Sequence, residues 1–297
     1  MCRLACFRPP SNGHPCQIFG RIVCLVSLGA TAAIALVPAT PTAGDGVDRV
    51  RITFDEFAPG TALADGASVA DVSGNGNNGS VVSAFAGRVR IVADATGTVA
   101  DFPADCADQP CPNAMVQIAD DPSLNPFTAD FEWGARILMR ANETDDGENV
   151  LQKGTTDEPG GQWKLQVDKA GGVPSCVLSG VVPGETQQRR QVLLASITVA
   201  DGVWHQVTCR RTAAVGLEIL IDGVVRGSVA MPAVNLNSTA PITIGAKWVM
   251  PSENDQFHGL LDDVYMASEP DASFFVEVVD KGGARATRQA VRLSIPG

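Results

Sequence analysis

The sequence predicts an all-β protein, an antiparallel two-sheet sandwich of the jelly-roll kind. Three observations carry this. From Val47 onward apolar and polar residues alternate over short runs. Gly, Asn, Asp or Pro separates these runs at intervals of roughly ten residues, the spacing of short strands and turns. No long window holds the i, i+3, i+4, i+7 pattern of an amphipathic helix.

The N-terminal segment stands apart. Residues 1–43 contain Arg3, Arg8 and Arg21 and no acid, and Ile22 to Val37 is uncharged. Pro38 and the small residues Ala39-Thr40-Pro41-Thr42-Ala43 follow. A basic start, a short apolar run and a small-residue exit predict a cleaved secretory leader over 1–43. A membrane span needs about 20 apolar residues, which this run does not reach. Four of the eight cysteines (Cys2, Cys6, Cys16, Cys24) belong to the leader. The expected organisation is a leader (1–43), one large β body (44–268) and a hairpin-like C-terminal extension (269–297).

Charge points the same way. The chain is 297 residues long with 22 basic and 33 acidic side chains, a net −11. Removing the leader's arginines leaves 19 basic residues against 33 acids, a net −14. Counterion release from nucleic acid needs a basic surface, so that class is excluded. A 45% apolar composition excludes an intrinsically disordered chain.

The body's elements follow in order. Gly74, Gly76 and Gly79, interleaved with Asn75, Asn77 and Asn78, predict a tight irregular loop. Gln162–Asp168 puts Trp163, Leu165 and Val167 on one face and Gln162, Lys164, Gln166 and Asp168 on the other. Val203–Arg210 reads as a strand opened by Trp204-His205, with the histidine expected in a structural role. Leu217–Ile221 and Val224–Val229 flank Asp222-Gly223, a hairpin signal. Ile242–Ile244 and Leu260–Met266 continue the series. Ser273–Val279 and Ala290–Ile295 read as a terminal hairpin around Gly282-Gly283.

Four cysteines remain in the body, and they allow three pairings. The simplest joins Cys106 to Cys111 across a turn and Cys176 to Cys209 between strands. A zinc site, the rival reading, lacks paired C-x-x-C spacing.

Taken together, Phe54-Asp55-Glu56, Asp71–Gly79, Lys153-Gly154, Asp201–His205, Ile221-Asp-Gly223, Ile244-Gly-Ala246 and Phe257–Val264 resemble a LamG (laminin G-like, concanavalin A-like jelly-roll) domain over about residues 48–268. The Cys176/Cys209 placement is similar to that of secreted actinobacterial LamG proteins. The resemblance implies a structural calcium tying the N-terminal strand region to the last strand. It names Asp55 and Asp262 as carboxylate ligands, with carbonyls from the Asn75–Gly79 loop. Calcium takes six to eight oxygens, and Asp262 stands where an apolar strand residue is expected.

The same architecture carries β-glucanases, whose Glu-x-Asp-x-(x)-Glu pattern has a literal counterpart in Glu143-Thr-Asp145-Asp-Gly-Glu148. The intervening Thr, Asp and Gly are those of a solvated acidic turn, so the match is not expected to form a catalytic pair. The alternative remains a hydrolase whose carboxylates the sequence does not reveal. The function expected is a secreted, non-catalytic recognition domain for glycan or cell-surface protein. Trp248 and Met250, in the polar-bounded stretch 246–257, are the candidate ligand contacts.

Overall fold

The computed structural model describes residues 33–38, 46–145, 147–168, 171–252, 254–269, 273–279 and 286–292. Two compact units divide the chain, one of 46–269 and one of 1–45 with 270–297. In the smaller unit, Ala33–Pro38 and Ala286–Arg292 each pair antiparallel with Ser273–Val279, which lies between them. The leader expected over 1–43 otherwise lies outside the described residues.

The larger unit is a two-sheet antiparallel sandwich, and among its described residues the one helical element is a 3-10 turn, Pro122–Leu124. The first sheet runs Gln188–Leu194, Val173–Val181, Gln162–Asp168, Glu148–Lys153, Ile242–Ile244, Asn113–Ile118, Gly79–Ala84 and Ser68–Val69. The second runs Val224–Val229, Gly216–Ile221, Asp201–Thr212, Phe131–Arg140, Gly259–Ser268, Thr98–Phe102, Val89–Ala93 and Ala62–Leu63. Val47–Ile52 also pairs with the Gly259–Ser268 strand, along 264–268.

Alternation decides what each sheet buries. Val81, Val116, Ile244, Leu151, Leu165 and Cys176 are successive cross-strand partners on the first sheet, and all belong to the core. Trp133, Ile137, Val207, Cys209 and Ile219 come from the second. Phe131 stacks on Trp133 at 4.7 Å, and Trp163 of the opposite sheet meets Trp133 at 5.9 Å. Cys176 and Cys209 are bridged through this core, joining the two sheets. Cys106 and Cys111 close the local loop. At the Asp222-Gly223 hairpin both residues take positive φ, +54° and +75°, as a type I′ turn requires.

Candidate functional site

One residue along each strand of the first sheet, the pattern inverts. Ser80, Gln117, Thr243, Gln152, Lys164, Val177 and Val192 are successive partners, so they form a row on the outer face. The row is mostly polar, yet Gln152, Lys164 and Thr243 are each under 7% exposed. This was not evident from alternation, which separates the two faces of a strand without saying what covers the second.

Residues 245–257 provide part of the cover. The Gln256 side chain roots this loop: Nε2 donates to the Gly245 and Phe257 carbonyls, and Oε1 accepts from Asn113 Nδ2 (2.7 Å) and the Ala114 amide (3.0 Å). Asn149 Nδ2 donates to the Ala246 carbonyl at 2.8 Å. Lys164 Nζ donates to Asp255 Oδ2 at 2.8 Å. Burial pulls the Lys164 ammonium below the usual lysine range against the opposing pull of Asp255. At the tip, Trp248 and Met250 are 37% and 44% exposed. Both residues are thus solvent-facing on a loop with a fixed root.

A cleft of about 340 Å³ opens where the Gln162–Asp168 strand begins. Three separate segments line it: Asp157–Gly161, Gly180-Val181 with Gln188, and Asn235 with Asn237. Gly160 and Gly161 both have positive φ, and a Cβ at Gly160 would lie 2.5 Å from the Ser238 backbone. Only glycine lets the loop lie this close to the crossing segment, where the Asn237 amide donates to the Gly160 carbonyl at 2.9 Å. Gln188 Nε2 donates to the Thr156 carbonyl (2.6 Å) and to Ser179 Oγ (2.5 Å), which sets its amide at the cleft wall. Asp157 and Glu158 are exposed. Sequence reasoning missed these residues; the Gly160-Gly161 pair was the one local signal for the loop.

Cleft and loop share a face of one strand. Gln162 follows Gly161 in the cleft, and Lys164, two residues on, holds the Trp248 loop. At a strand rise of about 3.3 Å per residue, roughly 7 Å separates the two positions. The amides, hydroxyls and ammonium of the row are largely buried and bonded within the protein. None of the seven residues of the row is acidic; Asp255 reaches it through Lys164, and Asp157 and Glu158 line the cleft.

The acidic motif 143–148 requires a correction. Glu143 does cap a turn, accepting from the Arg140 amide and guanidinium. Glu148 is not solvated: it is 1% exposed and accepts from the Asp145 amide at 2.5 Å. Burial pushes its pKa up to about 9. Opening a strand, it pairs with Val167 of the core-facing set, so its carboxyl turns inward. Turn composition foretold the solvated Glu143 end of the motif but not the burial of its last residue.

The expected calcium ligands are already engaged by donors of the protein itself. Asp262 is held by Arg136 Nη1 at 3.0 Å and by the Asp263 amide. Burial nonetheless pushes its carboxyl above the usual range, whereas Arg136 holds its second partner, Asp94, below it. Asp55 accepts the Thr98 amide at 3.0 Å. In the 75–79 loop, Asn75 and Asn77 turn Nδ2 donors toward the Asp48 and Arg49 carbonyls, where a metal site would need free acceptors. Among the described residues, no three His, Cys, Asp or Glu converge on a point.

Trp204 lies on the outer face of the second sheet, its indole against the Arg136 guanidinium at 4.1 Å. His205 is satisfied by Asp222 at 2.8 Å and Asp201 at 3.2 Å.

A family model described as Concanavalin A-like lectin/glucanases superfamily (Laminin_G_3) matches residues 113–270. The chain belongs to this superfamily. The laminin G-like match begins at the Asn113–Ile118 strand; residues 46–112 add strands to both sheets beyond it.

Several solved structures are similar. The binding domain of Paraclostridial Mosquitocidal Protein 1 is 13% identical with a TM-score of 0.48, over 74% of this chain and 49% of that one. Domain 4 of AbnA, a GH43 extracellular arabinanase from Geobacillus stearothermophilus in complex with arabinotriose, is 12% identical with a TM-score of 0.45, over 75% and 93%. The binding domain of Botulinum Neurotoxin DC in complex with SialylT is 13% identical with a TM-score of 0.49, over 74% and 47%. This chain spans about half the length of the first and third. No curated protein matches the sequence significantly.

Proposed function

We propose that this protein is a non-catalytic recognition domain that binds a glycan across the outer face of its first sheet, between the Trp248 loop and the 157–161 cleft. One observation carries the reading: a firmly rooted loop with Trp248 and Met250 exposed, on the same sheet as a cleft lined by Gln188, Asn235 and Asn237. Sugars are recognised by amide and hydroxyl hydrogen bonds at their rims and by apolar contact on their faces, and both are present here. A glycosidase needs two carboxyl groups about 5–9.5 Å apart across the scissile bond.

The domain is proposed to act outside the cytoplasm. Two disulfides, one locking the sheets together, fit an oxidising compartment. Recovery of the protein from culture medium with a processed N-terminus tests this; retention in the cytoplasm with reduced thiols overturns it.

A glycan array run beside a reducing-sugar assay tests the function. Array signal that falls in Trp248→Ala and Gln188→Ala, without product, is the expected result. Product release on any glycan overturns it in favour of a hydrolase. Silence on the array, with capture of a cell-surface protein, moves the site to a protein partner.

A further inference from the structure

The tie expected of calcium, between the N-terminal strand region and the last strand, is made here by other atoms. Arg51, on the Val47–Ile52 strand, donates from Nη1 to Asp263 at 2.9 Å and from Nε to Asp48 at 2.7 Å. Arg136 donates from Nη1 to Asp262 (3.0 Å) and Thr96 Oγ1 (3.1 Å), and from Nη2 to Asp94 (2.7 Å). Its plane lies against Trp204, whose Nε1 donates to the other Asp94 oxygen at 3.3 Å. The Asp94–Thr98 hairpin that supplies Asp94 and Thr96 also donates the Thr98 amide to Asp55. Both expected carboxylates are therefore joined to one hairpin, Asp55 directly and Asp262 through a guanidinium.

We propose that Arg136 is the resident cation of this cluster, doing the structural work a divalent metal would otherwise do, so that the domain reaches full stability without metal. Three features support it. The guanidinium faces Asp94 and Asp262 together, which a cation shared between carboxylates must do. Its side chain is 20% exposed and those of Asp94 and Asp262 are 16% and 12% exposed, so the charges meet largely out of water. Stacking on an indole suits a planar guanidinium and would not hold a hydrated metal ion. A corollary follows. Deleting the guanidinium leaves two carboxylates and Thr96 Oγ1 around a void, a site a divalent ion could enter.

Calorimetric melting of the wild type, Arg136→Gln and Asp262→Asn, each in EDTA and in millimolar calcium chloride, tests this. The wild type is expected to melt at one temperature in both buffers. Arg136→Gln is expected to melt about 5 °C lower in EDTA and to recover part of the loss in calcium. A wild type that loses stability in EDTA, or an Arg136→Gln protein that melts like the wild type, overturns the proposal. Should Arg136→Gln fail to fold, Asp262→Asn carries the test, because Arg136 keeps Asp94 and Trp204. That variant is expected to be indifferent to calcium like its parent. A calcium response present in the wild type and lost in Asp262→Asn marks a metal on Asp262 and overturns the proposal.

Discussion

Lys164 and Asp255 meet at 2.8 Å, a buried ammonium on the floor of the first sheet against a carboxylate on the loop that displays Trp248. The pair joins the interior of the candidate site to its exposed tip. Replacing Asp255 by Asn leaves the ammonium buried without its counter-charge. A loss of about 2–3 kcal/mol is expected, below the figure for fully buried pairs because Asp255 keeps some exposure. Urea unfolding checks the magnitude. Faster hydrogen exchange at the Lys247 and Trp248 amides, which donate to the Asn254 carbonyl, checks that the loop is what loosens.

Trp248 sits at the exposed tip of its loop. The residue is 37% exposed, and Lys247 Nζ lies 5.8 Å from the ring centroid. Trp248→Ala is expected to keep a cooperative melt with a modest loss of stability and to weaken glycan binding at least tenfold, about 1.4 kcal/mol. Titration calorimetry against the best array hit, with melting curves alongside, separates the two effects.

Glu148 sets a pH dependence whose sign can be worked out. Burial raises its folded-state pKa to about 9, against an ordinary value of 4.5. Between these values the folded chain holds a proton the unfolded chain has released. Stability is then greatest near and below pH 4.5 for this group and falls as pH rises toward 9, by at most about 1.4 kcal/mol per unit. Glu148→Gln keeps an acceptor for the Asp145 amide and removes the titration. Its unfolding free energy is expected to be flatter between pH 6 and 9 than that of the wild type, measured by denaturant titration at each pH.

The Cys176–Cys209 bridge closes a loop with a sequence separation of 33 residues and crosses between the sheets. On loop entropy its removal by Cys176→Ala/Cys209→Ala is expected to cost about 3–4 kcal/mol. The local Cys106–Cys111 bridge, with a separation of 5, constrains far less chain. Denaturant midpoints of the two double variants are expected to fall in that order.

Much of the fold was legible along the chain. The Gln162–Asp168 and Ile242–Ile244 strands have the boundaries their alternation predicts, and Val203–Arg210 extends to Asp201–Thr212. Asp222-Gly223 turns a hairpin because both positions need positive φ, a demand written in two adjacent residues. Trp248 and Met250 were legible as exposed apolar residues within a polar segment. Glu148 was not, because its neighbours Asp145 and Gly147 describe a turn and its burial comes from packing against partners far along the chain.

By itself, the sequence determined the alternation, the turns and the acidic balance, since each depends on residues near in sequence or on totals. Tertiary structure alone decided which polar residues face one another. Arg136 and Asp262 are 126 positions apart, and Asp157, Gln188 and Asn235 reach one cleft from three segments. A charge is neutralised and a cleft is lined by whatever the strand order brings within a few ångströms, and strand order is a long-range property that no local pattern encodes.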